Sequence, residues 1–297
     1  MSTSDPPGGE SPYRGPPRGA PRDKRERALD ASQRTRAPEP AVVPDAEEAP
    51  ARLAQEQRLY GVNACLAMFQ HRPQALRKVW LTQARMPQFK HVLAYCVQQR
   101  LGYTLVEAAD LERLSGSAHH EGIVFGALAA EEVSLSTWLG TLPPGPQVAL
   151  WLDGVGNPHN LGAILRSAAH FGAAGVLLSR ESQLHLSGAA ARVAEGGAES
   201  VPMVRLGRSD NALSQLQTAR FSVAATVVRG GESLHGAKLP ERVVLLMGAE
   251  QTGVAPALEK ASTLRLVIPG TGAVESLNVA SATSVLLSEW RRQHPSR

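Results

Sequence analysis

Apolar residues recur along the chain from residue 58 onward in two alternating patterns, helical spacing and short continuous runs. The spacing of Val62, Leu66 and Phe69 predicts a helix, and the later run KVWLT predicts a strand. Such alternation over residues 56–130 is typical of a small α/β unit. Its predicted helices cover residues 60–70, 87–100 and 109–114, and its predicted strands cover residues 78–82, 103–107 and 122–128.

A second unit, residues 147–297, begins with the apolar run VALWLDGV, as expected of a strand buried on both faces. Strands separated by segments of helix length imply right-handed crossovers and a parallel sheet. Prolines and a glycine at residues 143–146 mark the end of a linker, which we place at residues 131–146. The predicted strands cover residues 148–155, 175–178, 201–206, 221–228, 243–247 and 264–268, and the predicted helices cover residues 161–171, 188–198, 212–219 and 278–292.

The first 55 residues differ in composition from the rest of the chain. Residues 1–50 hold 10 of the 21 prolines and very few large aliphatic side chains. Such a segment buries too little apolar surface to offset the entropy of ordering it, which predicts a disordered tail. Residues 11–36 carry eight Arg or Lys against three acidic residues, a local charge of +5 in a chain of 297 residues with a net charge of +4. This pattern fits an electrostatic arm for nucleic acid and equally a solvating leader.

Several classes of protein are disfavoured by what the sequence lacks. No apolar run approaches the roughly 20 residues that span a bilayer, and no apolar signal segment opens the chain, so we expect a cytoplasmic protein with no membrane partner. Cys65 and Cys96 stand alone, which favours buried, inert thiols over a disulfide scaffold or a zinc site. His119 and His120 favour a polar turn before a strand, and we expect no metal.

Three loops at the predicted carboxyl ends of strands carry the candidate chemistry, because open parallel sheets bind ligands at that edge. The first, DGVGNPHNLGAILRSA, contains a helix cap followed by Asn160 and Arg166. The second, MGAEQTG, sets Glu250 between glycines that let a backbone approach a ligand. The third, IPGTGAVESLNVASA, joins a glycine-rich loop to a helix start with Ser276 and Asn278. No G-x-G-x-x-G follows the first strand, so a dinucleotide oxidoreductase is the weaker alternative.

Together these loops resemble the three signature motifs of the SpoU (TrmH) family of RNA ribose 2′-O-methyltransferases, in the family's order and spacing. RLYGVNACLAMFQHRP, at residues 58–73, is similar to the opening of the family's substrate-binding domain, and ARVAEGGAESVP, at residues 191–202, looks most like the YfiF-like branch. The resemblance implies a ribosomal-protein-like α/β/α domain followed by a SPOUT methyltransferase domain, a parallel-sheet α/β fold with a trefoil knot. It also implies S-adenosylmethionine as cofactor, tRNA or rRNA as substrate, and a homodimer.

The resemblance also assigns site residues by motif. Arg166 matches the residue that the family uses to activate the ribose hydroxyl. Because a guanidinium resists deprotonation, we favour a grip on the adjacent phosphate and on charge at the 2′-oxygen over action as a base. Asn160 would orient the ribose or Arg166, Glu250 would hold Arg166 or shape the pocket, and Ser276 and Asn278 would brace the loops. The implied cofactor contacts are Met247, Gly248, Gly253, Ile268, Pro269 and Leu277.

Two positions depart from the family's usual pattern. Gly270 stands where the family usually has Met, and Ala280 stands where it usually has Ser, so a hydroxyl near the site is missing. The alternative function is therefore a catalytically retired RNA-binding protein of the same fold. His159, within the first motif, is a further candidate for contact with RNA. The last predicted helix has an apolar face, suited to the core or to a dimer interface, made of Val279, Val285, Leu286 and Trp290.

Overall fold

A computed structural model describes residues 56–295, so the predicted disordered tail, residues 1–55, lies outside the described residues. The amino-terminal part contains a four-stranded sheet in the order β1-β4-β2-β3. Strand β4 is antiparallel to both β1 and β2, and β3 is parallel to β2. The elements are β1 (Glu56–Tyr60), α1 (Val62–His71), β2 (Leu76–Leu81), α2 (Lys90–Gln99), β3 (Gly102–Leu105), α3 (Ala108–Ser115) and β4 (Ile123–Leu128).

Helices α1 and α2 cover one face of this sheet, and α3 covers part of the other. Met68 of α1 packs in the first layer with Phe125 of β4, and Leu111 of α3 packs in the second with Trp80. Cys65 and Cys96 are free and buried in the first layer, as predicted, and burial raises the pKa of both thiols.

Strand β1 replaces the start of the helix that we predicted from residue 60. Gly61, with a φ of 92°, turns the chain between this strand and α1. The helical spacing was therefore correct, and its first residue was wrong.

The carboxy-terminal part is built on an eight-stranded sheet in the order β10-β12-β9-β11-β6-β7-β8-β5. Every neighbouring pair is parallel, which confirms the predicted parallel sheet. The trefoil knot stays a prediction. The strands are β5 (Val133–Ser134), β6 (Gln147–Asp153), β7 (Gly175–Leu178), β8 (Met203–Arg205), β9 (Ser222–Thr226), β10 (Glu232–Ser233), β11 (Arg242–Gly248) and β12 (Leu264–Val267). The helices are α4 (Leu135–Thr141), α5 (Pro158–Phe171), α6 (Gly188–Ala194), α7 (Ser209–Thr218), α8 (Pro256–Ala261) and α9 (Val279–Gln293).

The central strand β6 is buried on both faces, as its apolar run predicted. Leu150 packs with α5 and α9 on one side, and Trp151 packs with Trp138 of α4 and Leu216 of α7 on the other. The apolar face of α9 belongs to the core of this chain, because Leu286 and Trp290 are buried within it. Among residues 56–295, no helix has both the length and the apolar character needed to cross a membrane.

The segment 131–146, predicted as a linker, contains β5 and α4. Strand β5 pairs with β8 at one edge of the large sheet, and Trp138 of α4 donates a hydrogen bond from Nε1 to the carbonyl of Ala174 at 2.9 Å. The sequence missed both elements because a two-residue strand has no alternation to detect and the helix spans only two turns.

The helix predicted over residues 188–198 is shorter in the structure. It ends at Ala194, and a 3₁₀ turn, Gly197–Glu199, follows. Positive φ values at Glu195 and Gly196 interrupt the helix at this point.

Candidate active site at the carboxyl edge of the parallel sheet

The first motif forms the start of α5, directly beyond the carboxyl end of β6. The Oδ1 atom of Asn157 accepts a hydrogen bond from the backbone N–H of His159 at 2.9 Å, and Pro158 occupies the first helical position. This confirms the predicted cap. It also places Asn160 in the first turn of the helix, close to the edge of the sheet.

A hydrogen-bond network joins all three motifs. The Nδ2 atom of Asn160 donates to Oε1 of Glu250 at 2.9 Å, and Nδ2 of Asn278 donates to the same oxygen at 2.8 Å. Asn278 also donates to Oδ1 of Asn160 at 3.1 Å. The structure therefore brings together three of the five predicted catalytic residues, from loops 28 to 118 residues apart in sequence.

Asn278 has a second role as the N-cap of α9. Its Oδ1 atom accepts from the backbone N–H of Ala280 at 2.9 Å, while its Nδ2 atom serves the network. One side chain thereby couples the start of the last helix to the loop that carries Glu250. Glu250 itself is held by neutral amides and forms no ion pair with another residue in the range 56–295.

The second motif folds back on itself after β11. Ala249 and Gly253 form an isolated antiparallel bridge, and a Cβ atom on Gly248 would overlap the backbone of Gly253 and Val254. The sequence predicted that Gly248 lets the backbone approach a ligand, but here the loop's own backbone fills that space. Asp153, which the sequence analysis missed, accepts from the N–H of Ala255 at 2.8 Å. No signal in a single sequence links these two positions, because they lie 102 residues apart.

The predicted cofactor contacts occupy different environments. The side chain of Met247 is buried in the core and Ile268 is partly buried against it, whereas Pro269 and Leu277 are exposed. Since residues 268–277 form no backbone–backbone hydrogen bond within the described chain, their main-chain donors and acceptors are free for a ligand.

Open space accompanies these free backbone groups. No atom lies within 4 Å of a Cβ atom built on Gly253, Gly270 or Gly272. A pocket lined by free main-chain groups fits the adenine and amino-acid ends of S-adenosylmethionine.

Arg166 lies on α5 outside the amide network. Its side chain is exposed and makes no hydrogen bond or ion pair with any residue of the described chain. Six residues of an α-helix turn through about 600°, so Asn160 and Arg166 project about 120° apart. The contacts predicted from Asn160 and Glu250 to Arg166 are therefore absent. Ser276 is also exposed and outside the network.

The base of Arg166 is backed by the turn that follows α6. A Cβ atom on Gly197 would lie 2.9 Å from the carbonyl oxygen of Leu165 and 3.1 Å from Cα of Arg166, so only glycine allows this approach. In the same turn, Glu199 forms a paired salt bridge with Arg72 of the amino-terminal part, at 2.8 and 2.9 Å. The two side chains are 6% and 14% exposed. The sequence analysis did not foresee this junction.

The histidine pair forms the turn that the sequence predicted. Nδ1 of buried His120 accepts from the N–H of Gly122 at 3.0 Å, while His119 is exposed. Within residues 56–295, no group of three or more His, Cys, Asp or Glu side chains has the arrangement of a metal site.

Comparison with known proteins matches both parts of the chain to one family. Residues 147–288 match the model of the SpoU rRNA Methylase family, and residues 58–132 match that of the RNA 2'-O ribose methyltransferase substrate binding domain. A protein of Escherichia coli O157:H7, named as the uncharacterized tRNA/rRNA methyltransferase YfiF, is 40% identical over 242 residues, which cover 81% of this chain and 69% of YfiF.

Other relatives extend the match over nearly their whole length. The 23S rRNA (guanosine-2'-O-)-methyltransferase RlmB of Pseudomonas putida is 33% identical over 81% of this chain and 98% of its own. The crystal structure of an AdoMet-bound rRNA methyltransferase from Sinorhizobium meliloti superposes with a TM-score of 0.67 at 25% identity, over 82% of this chain and 88% of that one. With its three motifs joined at one edge of a parallel sheet, this chain belongs to the SpoU rRNA methylase family.

Proposed function

We propose that this protein transfers a methyl group from S-adenosylmethionine to a ribose 2′-hydroxyl of tRNA or rRNA. The observation that carries the proposal is the network of Asn160, Glu250 and Asn278, which joins three motifs beside a loop with free backbone groups. Relatives named as tRNA/rRNA and guanosine-2'-O-methyltransferases, and a neighbour with bound AdoMet, support it.

The reaction needs a methyl group and a hydroxyl held in line. S-adenosylmethionine, when bound, supplies an electrophilic methyl group on a sulfonium. We assign its adenine and amino-acid ends to the free main-chain groups of residues 268–277 and to the turn at Gly248 and Gly253. The network fixes these loops relative to α5, and holding reactants in a defined geometry supplies much of the rate acceleration in such transfers.

Arg166 is the residue that we assign to the ribose. Its guanidinium has no protein partner among residues 56–295, so its five donors are available for a phosphate and for the 2′-oxygen. Since a guanidinium seldom gives up its proton, Arg166 stabilises the negative charge that develops on that oxygen. Ser276, an exposed hydroxyl on the third loop, braces the loop against the bound substrate.

The two departures from the family pattern leave this arrangement intact. Ala280 is buried at the start of α9, with its N–H bonded to Asn278, and Gly270 faces open space. Neither position contributes a bond to the network. This supports an active enzyme over the retired RNA-binding protein.

We divide the labour of the chain by its two sheets. Residues 56–130 bind RNA, and residues 147–297 hold the cofactor and carry out the transfer. The segment 131–146 belongs with the large sheet, because β5 pairs with β8. A place of action in the cytoplasm follows from tRNA or rRNA as substrate.

We also propose a homodimer. Val274 and Leu277, large apolar side chains on the third motif, are 69% and 46% exposed, and a second copy would cover such a surface. Light scattering at micromolar concentration should give twice the chain mass of 31.6 kDa. A monomer mass would contradict the proposal.

The substitution Arg166→Ala tests the enzyme directly. Methyl transfer to a mixture of tRNA and rRNA transcripts should fall at least about 100-fold, the loss typical of removing one donor to a developing oxyanion. Calorimetry should show unchanged binding of S-adenosylmethionine, because Arg166 lies outside the loop 268–277. Lys260→Ala, which removes an exposed cation of α8, should leave transfer unchanged.

Two results would count against this proposal. Normal transfer by Arg166→Ala would remove the role of Arg166. A wild-type chain with no detectable binding of S-adenosylmethionine would favour the retired RNA-binding protein.

A further inference from the structure

A cavity of about 270 Å³ lies between the amino-terminal part and two helices of the carboxy-terminal part. The end of β1 and the loop between α3 and β4 form one wall, and the first turn of α5 together with α6 forms the other. The side chains that carry the argument are Tyr60, Ser117, His119, His159, Ala189 and Arg192.

The cavity shares a helix face with Arg166. His159 and Arg166 are seven residues apart on α5, so they project in nearly the same direction, about 10 Å apart along the axis. Between them, Gly162 faces Ala190 and Val193 of α6, which also flanks the cavity. An RNA strand held at Arg166 therefore passes the mouth of this cavity.

The lining offers flat aromatic surfaces. The imidazoles of His119 and His159 are exposed and have no side-chain hydrogen-bond partner among residues 56–295, and the Tyr60 ring lies behind them. Unstacked bases of RNA are recognised by stacking on such rings and by hydrogen bonds to their edges. The chain has few aromatic residues, so three rings at one cavity are a local concentration.

Arg192 fixes the shape of the cavity across the junction. Its Nε atom donates to the carbonyl of His119 at 3.0 Å, and its guanidinium pairs with Glu121 at 3.0 Å. Both partners lie in the loop before β4, so a residue of α6 holds the wall that carries His119. The cavity is thus formed jointly by both parts of the chain.

The volume selects among ligands. Pockets for drug-sized molecules and cofactors measure about 300–1,000 Å³, so about 270 Å³ is too small for a whole S-adenosylmethionine and fits a single nucleobase. We propose that this cavity receives an unstacked base of the RNA substrate, next to the nucleotide whose ribose meets Arg166. The proposal rests on the proposed function and extends it, because it makes the two parts of the chain read the same stretch of RNA.

Two variants of the full chain test the cavity. His119→Ala removes one ring while leaving the backbone bonds of this residue in place, and Ala189→Leu fills the space. Each should raise the Kd for a mixture of tRNA and rRNA transcripts about tenfold, as expected for loss of one stacked base. His185→Ala, an exposed histidine outside the cavity, is the matched control and should leave the Kd unchanged. The Kd for S-adenosylmethionine should not change in any variant.

Photo-crosslinking gives a readout that does not depend on methyl transfer. With 4-thiouridine-substituted tRNA and rRNA transcripts, crosslinks should map to the peptides that contain His119 and His159. Crosslinks at these peptides without methyl transfer would uphold the cavity and overturn the proposed function.

The opposite pattern would overturn the cavity alone. An unchanged Kd in His119→Ala, or methyl transfer without crosslinks to either peptide, has this meaning. If Ala189→Leu fails to fold, as judged by thermal unfolding, the exposed His119 decides the question.

Discussion

The junction behind Arg166 and the network in front of the cofactor loop are built in contrasting ways. At the junction, Arg72 and Glu199 form a paired salt bridge with side chains 14% and 6% exposed, and Gly197 packs directly on α5. At the network, a carboxylate is held by two neutral amides at an exposed edge. The loop beside it, residues 268–277, makes no backbone–backbone hydrogen bonds within the described chain.

This contrast teaches where stability and chemistry reside. A buried charged pair is costly to break, because the remaining charge is left without water or partner. An exposed loop with free main-chain groups contributes little to folding and is available to a ligand. Substitutions at the junction should therefore change mainly the free energy of unfolding, and substitutions at the network should change mainly methyl transfer.

The largest expected effect is at the junction. Glu199→Ala should lower the free energy of unfolding by about 3–5 kcal/mol, because it leaves Arg72 buried and unpaired. Chemical denaturation measures the loss. Replacing both residues by leucine should recover most of the stability, since two apolar side chains leave no uncompensated charge.

Glu112→Ala, an exposed residue of α3, is the control for this substitution and should stay within about 0.5 kcal/mol of the native chain. A loss below about 1 kcal/mol in Glu199→Ala would show that the junction is not the stabilising region, and the contrast would fail.

Two glycines of the cofactor edge give a sharper test of the same contrast. Gly248→Ala should cost about 1–3 kcal/mol in stability and weaken binding of S-adenosylmethionine, because its Cβ overlaps the backbone of Gly253. Gly270→Ala, where no atom lies within 4 Å of the new Cβ, should stay within about 0.5 kcal/mol. Thermal unfolding and calorimetry measure both. Equal effects at the two positions would contradict the structure of this loop.

Much of the fold was predictable because its signals are local. The apolar run that became β6 was long enough to mark a strand buried on both faces, and strand β7 was predicted at its observed limits, Gly175–Leu178. The cap at Asn157 was also predicted, since an N-cap needs only its own helix. The shortest elements, such as β5 and β10, carry too few residues to show a period.

The candidate site was predictable in content and not in contacts. Resemblance placed Asn160, Glu250 and Asn278 in one site, but the pairing of both amides with one carboxylate oxygen depends on how three loops meet. The helical turn that separates Asn160 from Arg166 follows from six-residue spacing and should have excluded their contact. The pair of Arg72 and Glu199 spans 127 residues, beyond any local signal.

The smallest expected effect on stability separates the two roles of Asn278. Asn278→Ala removes both the cap of α9 and the network donor and should cost about 0.5–2 kcal/mol. Asn278→Asp keeps an oxygen for the N–H of Ala280, so stability should change by no more than about 0.5 kcal/mol, since Asp caps as well as Asn. It replaces the donor to Glu250 with a second carboxylate, and like charges at this distance push the loops apart. Methyl transfer should therefore fall at least about tenfold in the stable Asp variant, because small displacements of a reacting group are costly. Normal transfer by Asn278→Asp would reduce the network to a helix cap, and the exposed edge would then differ from the junction in stability alone.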